Sequence, residues 1–249
     1  MKKVVKYIVI TILVLGAIYG LFILSLMVGN PITRIKIKIA ANKYIETNYK
    51  DKDYFIDKGY YNFKDENYYV VIKSKSSKDT YFDLIYNSKV KFIEDTYKKD
   101  VLSGSNTANR IDMKYKEIVE LFLKNKFKDY LNFGYGTIVF SDKYDKEKYL
   151  NMKDLILDKD YDINEFAKEA GYITVYFYDN NLDFDRAKEL LIKLKEKLDE
   201  ESISFYAIDF NLSLAEHKYG TDNDIIFKNI LYSDFNSKDF AKILSTKSN

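Results

Sequence analysis

The amino-acid sequence predicts an α+β protein with one N-terminal transmembrane helix and two further modules. Three observations lead to this prediction. Residues 7–29 contain no charged side chain, residues 54–86 contain three strand-like runs separated by short polar links, and residues 172–210 show strand, helix and strand patterns in turn. The length and periodicity of each pattern match those of the element that it predicts.

The predicted transmembrane anchor covers residues 7–29 and follows a basic tail at residues 1–6. Its 23 residues are enough to cross about 30 Å of hydrocarbon at about 1.5 Å per residue. A cleavable signal peptide is the alternative, but its apolar region is only about 7–15 residues long and ends in small residues. We therefore expect a retained signal anchor.

The anchor predicts a location in the cell membrane as a single-pass protein. The charges on its two flanks nearly balance, so the orientation follows from the short basic tail in front of a large C-terminal part, which favours extracytoplasmic domains. Gly16 and Gly20 form a G-x-x-x-G pattern. Small residues at this spacing are typical of transmembrane helices that pack on a partner helix.

The first module is predicted over residues 30–100 as a helix packed on an antiparallel sheet. Asn30 and Pro31 are typical of a capped helix start. Apolar residues then recur at helical spacing, at Ile37, Ala40, Ala41, Tyr44 and Ile45. The strands are predicted at residues 54–63, 68–74 and 80–86, and the short polar links between them favour hairpins.

The second module is predicted over residues 111–249, after a linker at residues 101–110. A helical stripe comes first, formed by Tyr115, Ile118, Val119, Phe122 and Leu123. Strands are predicted at residues 137–140, 172–178, 203–210 and 225–232, with a helix at residues 184–198. The strand, helix and strand between residues 172 and 210 predict a right-handed parallel crossover.

The composition excludes several classes of chemistry. The chain has no Cys, no Trp and a single His, His217, which rules out thiolate zinc sites, disulfide scaffolds and multi-histidine centres. Without the three Lys of the N-terminal tail, 37 basic residues face 38 acidic ones, so no basic nucleic-acid surface is expected. We predict no cofactor, no metal ion and no nucleic-acid or nucleotide partner.

Three motifs suggest chemistry, and each has a structural alternative that we prefer. His217 lies in a polar stretch and is interpreted as an exposed loop residue. The acidic run at residues 179–185 resembles the start of a calcium loop, but Phe184 stands where such a loop needs Gly, so Asn181 or Asp183 is expected to cap the following helix. Residues 133–136 lead into a strand, whereas a dinucleotide-binding turn leads into a helix. No catalytic residue is predicted.

Aromatic residues are unusually frequent, with 24 Tyr and 17 Phe. Two interpretations stay open: the aromatic residues reflect strand propensity and composition, or some of them form a recognition face. The predicted face consists of Tyr60, Tyr61, Phe63, Tyr68 and Tyr81.

Several short motifs follow one another in an order that resembles a known family. They are Asn30-Pro31-Ile32 after the anchor, residues 60–64, residues 74–77 with residues 79–82, Asn106-Thr107 with Arg110, and residues 205–209. This order resembles the YfjL-like family of uncharacterised membrane-associated proteins of low-GC Gram-positive bacteria, over nearly the whole chain. The resemblance implies no catalytic residue. The first module is also similar in outline to PepSY-type and cystatin-like domains, which bind or inhibit rather than catalyse.

Taken together, these patterns predict a membrane-anchored envelope protein that binds a protein or peptide and is not an enzyme. The expected binding surfaces are the strands at residues 54–63 and 80–86, by edge pairing or aromatic contact. An envelope hydrolase with an acidic site and a structural subunit of a membrane complex are the alternatives.

Overall fold

The computed structural model describes residues 2–141, 147–217 and 223–248. The helices are α1 (Lys2–Val28), α2 (Pro31–Asn48), α3 (Ser105–Lys126), α4 (Ile163–Ala170), α5 (Phe184–Glu200) and α6 (Phe240–Thr246). The strands are β1 (Tyr54–Asn62), β2 (Asn67–Ser74), β3 (Tyr81–Asn87), β4 (Phe92–Asp95), β5 (Leu131–Ile138), β6 (Gly171–Asp179), β7 (Ala207–Leu214) and β8 (Ile225–Leu231). The fold is α+β.

The strands form two four-stranded sheets, in the orders β1-β2-β3-β4 and β5-β6-β7-β8. The chain divides into two compact units, Met1–Asn106 and Thr107–Asn249, with one sheet in each. Helix α3 begins at Ser105, inside the range that the sequence predicts as a linker. Gly104, with φ of +81°, precedes it in the left-handed conformation that Gly adopts at low cost.

The uncharged N-terminal run forms a helix, but the prediction of a membrane-spanning anchor is wrong. Helix α1 ends at Val28, and Gly29 follows it with φ of +77°. Among the residues whose placement the structure describes, no helix combines the length and the apolar content that a membrane crossing needs. A run without charged residues meets one requirement of a membrane span, whereas a span needs sufficient length and sufficient apolar content in the same helix. The predicted fold class is therefore wrong in its transmembrane helix at residues 7–29 and correct in its α+β part.

Helix α2 is confirmed, together with its predicted cap. The Asn30 side chain accepts hydrogen bonds from the backbone N–H groups of Ile32 and Thr33, at 2.8 and 3.3 Å. Ile37, Ala41 and Ile45 are buried against the first sheet. Burial of an aliphatic side chain such as Ile contributes about 1.5–3 kcal/mol, so this stripe holds α2 on the sheet.

The first sheet is antiparallel throughout, as the short polar links predict. Its helix-facing side is formed by alternate residues of the central strands, for example Val70, Ile72, Phe82 and Leu84. Strand β4 is not predicted from the sequence because its four residues, Phe-Ile-Glu-Asp, are largely exposed and show no apolar alternation. Its addition makes β3 a central strand and leaves β1 at one edge of the sheet.

A tyrosine cluster fastens the C-terminal end of α2 to the sheet. The hydroxyl groups of Tyr44 and Tyr49 both donate to Oδ2 of Asp95, at 3.1 and 2.7 Å. The Tyr49 ring also packs on Phe82, with ring centroids 5.3 Å apart. Burial and the neighbouring Asp95 charge raise the pKa of Tyr44 from 10.0 to about 12. The same causes, with the hydrogen bond to Asp95 second after burial, raise the pKa of Tyr49.

The second sheet contains the predicted parallel crossover. Strands β6 and β7 are parallel, and α5 connects them. Strand β7 begins at Ala207, whereas the sequence predicts a start at residue 203. The reason is that Phe205 is buried in the core from the loop before the strand, so an apolar residue outside the ladder extends the strand-like pattern.

Two glycines of β5 allow α3 to lie close to the second sheet. A Cβ atom at Gly136 would be 2.6 Å from Cγ2 of Val119 and 2.7 Å from Cε1 of Tyr115. A Cβ atom at Gly134 would be 2.5 Å from Cδ1 of Leu123. These glycines lie inside a strand, so their role is close packing, in agreement with the interpretation that they are not a dinucleotide-binding turn.

We expect Gly136→Ala to lower the free energy of unfolding by about 1–3 kcal/mol, because the new methyl group overpacks the contact between α3 and β5. Urea unfolding followed by circular dichroism measures the change. Gly59→Ala is the matched control in a strand, since its Cβ would meet only the Tyr69 carbonyl oxygen, at 3.6 Å. Equal effects of the two substitutions would contradict the close-packing role.

We expect the stability of the first unit to fall as the pH rises above about 10. Tyr44 and Tyr49 keep their protons in the folded state at pH values where unfolded Tyr has lost them, so deprotonation favours unfolding. The stabilisation is complete below pH 10.0 and is lost as the pH rises through about 12. Urea midpoints measured across this range test the slope. The Tyr44→Phe/Tyr49→Phe variant should show a shallower slope, and an unchanged slope would contradict this origin.

Candidate functional site

An open groove lies between α2 and the edge strand β1 in the first unit. Its volume is about 240 Å³. We call it the β1 groove and define it by its lining residues, which are Arg34, Ile35, Ile37, Lys38, Ile56, Asp57, Lys58, Gly59, Tyr60, Tyr68, Tyr69 and Val70. Helix α2 forms one wall, β1 forms the other wall and β2 forms the floor.

Gly59 keeps the β1 groove open. It pairs with Val70 of β2, which is buried on the helix-facing side. Residues that pair directly across two antiparallel strands direct their side chains to the same face. A side chain at position 59 would therefore extend towards α2, and the nearest atom to its Cβ would be the Tyr69 carbonyl oxygen, at 3.6 Å. The missing side chain at Gly59 creates the free space.

Strand β1 has one unpaired edge among the described strands, because its only ladder is with β2. The register shifts between Ile56 and Lys58, which makes Asp57 the extra residue of a β-bulge. From Lys58 to Asn62 the pairing with β2 is regular. An edge strand presents backbone N–H and C=O groups that a further strand can pair with, and this regular segment borders the β1 groove.

The electrostatic surroundings of the groove are basic. Arg34 and Lys38 reach it from α2, and Lys58 reaches it from β1. Asp57 supplies the only carboxylate among the lining residues, and its Oδ2 lies 2.9 Å from Nζ of Lys73. The charge of Asp57 is thus compensated from β2, and the cations of the groove retain an excess of positive charge.

The five aromatic residues predicted as one binding face lie on different surfaces. Tyr60 is on the outer side of the sheet, where its ring stacks on Tyr69 with centroids 5.1 Å apart. Tyr61 and Tyr68 face the helix side, and the backbone N–H of Asn30 donates to the Tyr68 hydroxyl at 2.7 Å. The remaining two are Phe63, exposed in the turn after β1, and Tyr81, half-buried on the outer side.

Among these five residues, the structure therefore brings only Tyr60 and Tyr68 to the β1 groove. The prediction that residues 80–86 offer a strand edge is wrong, because β3 is hydrogen-bonded to β2 and to β4. No sequence pattern places Lys38 and Gly59 in one site. An isolated Gly inside a strand pattern is the signal that could have indicated a site of close approach at position 59.

Two carboxyl groups line a depression on the outer side of the first sheet. Burial raises the pKa of Asp83, and the charge of Asp100 raises it further. The Thr96 hydroxyl donates to Asp100, and the same oxygen accepts from the backbone N–H of Asp83 at 2.8 Å. Thr96, which follows β4, thus connects the Asp83 backbone to the Asp100 side chain by hydrogen bonds.

The acidic run at residues 179–185 forms a helix cap and an ion pair. The Asp183 side chain accepts from the backbone N–H of Arg186 at 2.7 Å, which confirms the predicted cap of α5. Oδ2 of Asp179 accepts from Nε and Nη2 of Arg186, at 2.9 and 2.7 Å. Burial acts to raise the pKa of Asp179, but hydrogen bonds from Asn181 and Arg186 outweigh it and lower this pKa. No cluster of three or more metal-binding His, Asp or Glu residues occurs in the part of the chain that the structure describes.

The other residues that the sequence singles out are not brought to the groove. His217 ends a short helical turn that begins at Ala215, and its side chain lies outside the described part of the structure. Gly16 and Gly20 are exposed on α1, and an added Cβ would have no neighbour within 4 Å at either position. Helix packing through these glycines stays a prediction.

The unit that carries the β1 groove is also the part of the chain that resembles a known family. Residues 1–101 match the YfjL-like, N-terminal domain. This match ends shortly before the first unit does, at Asn106. It covers 101 of the 249 residues and confirms the predicted resemblance over that range. Its extension over the second unit, the bacterial source and the similarity to PepSY-type and cystatin-like domains stay predictions. No curated protein and no solved structure matches the chain.

We expect Gly59→Val to raise the free energy of unfolding of the first unit by about 0.5–1 kcal/mol, because Gly in a strand is entropically unfavourable. The new side chain would occupy the β1 groove without displacing a neighbour. Urea unfolding is the measurement, and Gly134→Val is the matched control. A Cβ at Gly134 would be 2.5 Å from Leu123, so this control should be destabilised. A loss of stability in Gly59→Val would show that the groove is not free space.

Proposed function

We propose that the first unit is a binding module for an extended segment of another protein. The segment adds to the free edge of β1 as a further strand and places an apolar side chain in the β1 groove. The observation that carries this proposal is the position of an open groove directly beside the regular edge segment from Lys58 to Asn62.

Strand addition accounts for the two features of the site together. Backbone hydrogen bonds along an exposed strand edge supply affinity, and a pocket for alternate side chains supplies specificity. Ile37 and Val70 are buried beneath the groove and give it an apolar floor. A side chain from an added strand would cover this floor and remove apolar area from water.

The size of the groove favours a peptide over a free small molecule. Small-molecule and cofactor sites usually enclose about 300–1,000 Å³ and bury most of the ligand. The β1 groove has about 240 Å³ and is open to solvent on one side. This volume suits one or two side chains of a longer segment whose backbone lies outside the groove. A binding role agrees with the absence of a predicted catalytic residue in the sequence.

The same geometry limits where a segment can bind. The bulge at Asp57 interrupts the edge after Ile56, so an added strand should pair with the residues that follow the bulge. On the outer side it would meet the stacked rings of Tyr60 and Tyr69. This aromatic pair gives the outward side chains of the segment an apolar contact surface.

We expect a phage-displayed library of random peptides to yield binders of the whole chain that protect the backbone amides of β1 from hydrogen exchange. Gly59→Leu should weaken these binders by about tenfold or more, because burial of one aliphatic side chain contributes about 1.5–3 kcal/mol and a tenfold change in affinity corresponds to about 1.4 kcal/mol. Gly59→Ala is the control, because its methyl group leaves most of the groove empty. Hydrogen exchange and binding isotherms are the two measurements.

Two results would overturn the proposal. One is the recovery of no peptide binder. The other is the recovery of binders that leave the β1 amides unprotected and bind Gly59→Leu as tightly as the original chain.

A further inference from the structure

Two cations of the β1 groove, Arg34 and Lys38, have no carboxylate partner among the residues that the structure describes. The Lys38 side chain makes no hydrogen bond or ion pair within residues 2–141, 147–217 and 223–248. Arg34 donates to the Val28 carbonyl through Nη2, which leaves other guanidinium N–H groups available. These two residues are four positions apart on α2, so they lie on the same side of the helix.

The third cation of the groove stands on the strand itself. Lys58 follows the bulge and lines both the β1 groove and the depression on the outer side of the sheet. Asp83 lies on that outer side within electrostatic reach of Lys58. The carboxylate of Asp57 is already paired with Lys73 across the two strands. An added strand would therefore meet positive charge on the α2 wall of the groove, which carries Lys38 and Arg34.

We infer that the segment bound at β1 is acidic, with an apolar side chain over Gly59 and a neighbouring carboxylate that pairs with Lys38. This inference rests on the proposed function and names the chemical class of its partner. A strand alternates its side chains, so residues two positions apart along the segment face the groove side together. An apolar residue and an acidic residue at this spacing would meet the floor and the cationic rim of the groove.

Two chemical groups of the segment can supply this carboxylate, and the cations of the groove would bind either of them. The carboxylate is either an Asp or Glu side chain or the C-terminal carboxylate of the segment. Both present two oxygen acceptors to an ammonium or guanidinium group. The probes must therefore differ at the peptide terminus as well as in side-chain charge.

The test uses the whole chain and synthetic peptides in which a Val is followed two positions later by Glu or by Lys, with Thr at the other positions, so that both side chains face the groove together; they are named the Glu–Val and the Lys–Val peptide. Each peptide is acetylated and made with an amidated and a free C-terminus. The Glu–Val peptide should bind more tightly than the Lys–Val peptide, and the difference should shrink at high salt. A preference for Glu that the amidated peptides retain assigns the contact to a side chain. Tighter binding of both free-terminus peptides than of their amidated forms assigns it to the terminal carboxylate.

The decisive variant is Lys38→Glu. It should change the ratio of the two affinities by about tenfold or more in favour of the Lys–Val peptide, because attraction becomes repulsion at one position. Lys36→Glu is the matched control: it makes the same charge change on an exposed residue of α2 that does not line the groove. The control should leave the ratio unchanged. Urea midpoints of both variants check that α2 stays folded.

The outcomes separate this inference from the proposed function. Binders that protect β1 but carry no acidic residue, and a ratio that Lys38→Glu does not move, overturn the acidic partner and leave the strand-binding module in place. The absence of any peptide binder overturns both. Binding to phosphatidylglycerol vesicles that Lys38→Glu abolishes, without binding of the Glu–Val peptide, would replace the peptide by an anionic lipid surface and overturn the inference.

Discussion

The contact between α2 and the first sheet depends on a narrow apolar stripe, and the rest of the first unit is arranged around it. Ile37, Ala41 and Ile45 lie along one side of the helix and are buried on the sheet. Ala41 is small, so it allows the helix backbone to approach the strands closely. The tyrosine cluster at Asp95 fixes one end of the helix to the sheet, and the hydrogen bond from the Asn30 backbone N–H to the Tyr68 hydroxyl fixes the other. A helix held in this way covers the central strands and leaves a gap beside β1.

The second unit solves the same packing problem with a different device. Here the strand allows the close approach of helix and sheet. Gly134 and Gly136 have no side chains, and the space beside them is filled by Leu123, Val119 and Tyr115 of α3. No comparable space remains at those glycines, since the helix side chains occupy it. The first unit shows the opposite case, in which the volume freed at Gly59 stays unfilled. Glycine thus allows tight packing of helix on sheet in the second unit and leaves an open groove in the first unit.

The free edge of β1 is protected against uncontrolled strand pairing at the bulge and is accessible to a further strand beyond it. A bulge and a Lys on an edge strand are devices that limit uncontrolled pairing between sheets, and Asp57 and Lys58 supply both at the same place. The segment after the bulge keeps a regular ladder with β2 and borders the groove. Selective use of an edge requires this combination, because an unrestricted edge would pair with any extended chain and a fully blocked edge would pair with none. The cationic rim adds a second restriction through charge.

Local sequence patterns by themselves determined most of the elements of this protein. The cap at Asn30, the stripe of α2, the three antiparallel strands and the β6-α5-β7 crossover all follow from spacing and from turn residues, which act over a few positions. The uncharged run at residues 7–29 determined a helix but not a membrane span. No sequence pattern predicts strand β4, because its exposed residues show no apolar alternation. The predicted start of β7 lies before the observed one because Phe205 is buried from a loop.

Only the tertiary structure decided where the candidate site lies. Tyr60, Tyr61, Phe63, Tyr68 and Tyr81 are equally aromatic in the sequence, but pleating sends them to opposite sides of the sheet and the added strand β4 removes the edge at β3. Arg34, Lys38 and Gly59 come from two elements that are about 20 residues apart in the sequence, so no local pattern joins them. Which strand has a free edge, and which glycine faces a helix across an empty space, depends on the pairing of whole elements. That pairing is set by contacts between residues distant in the chain, and spacing along the sequence does not carry this information.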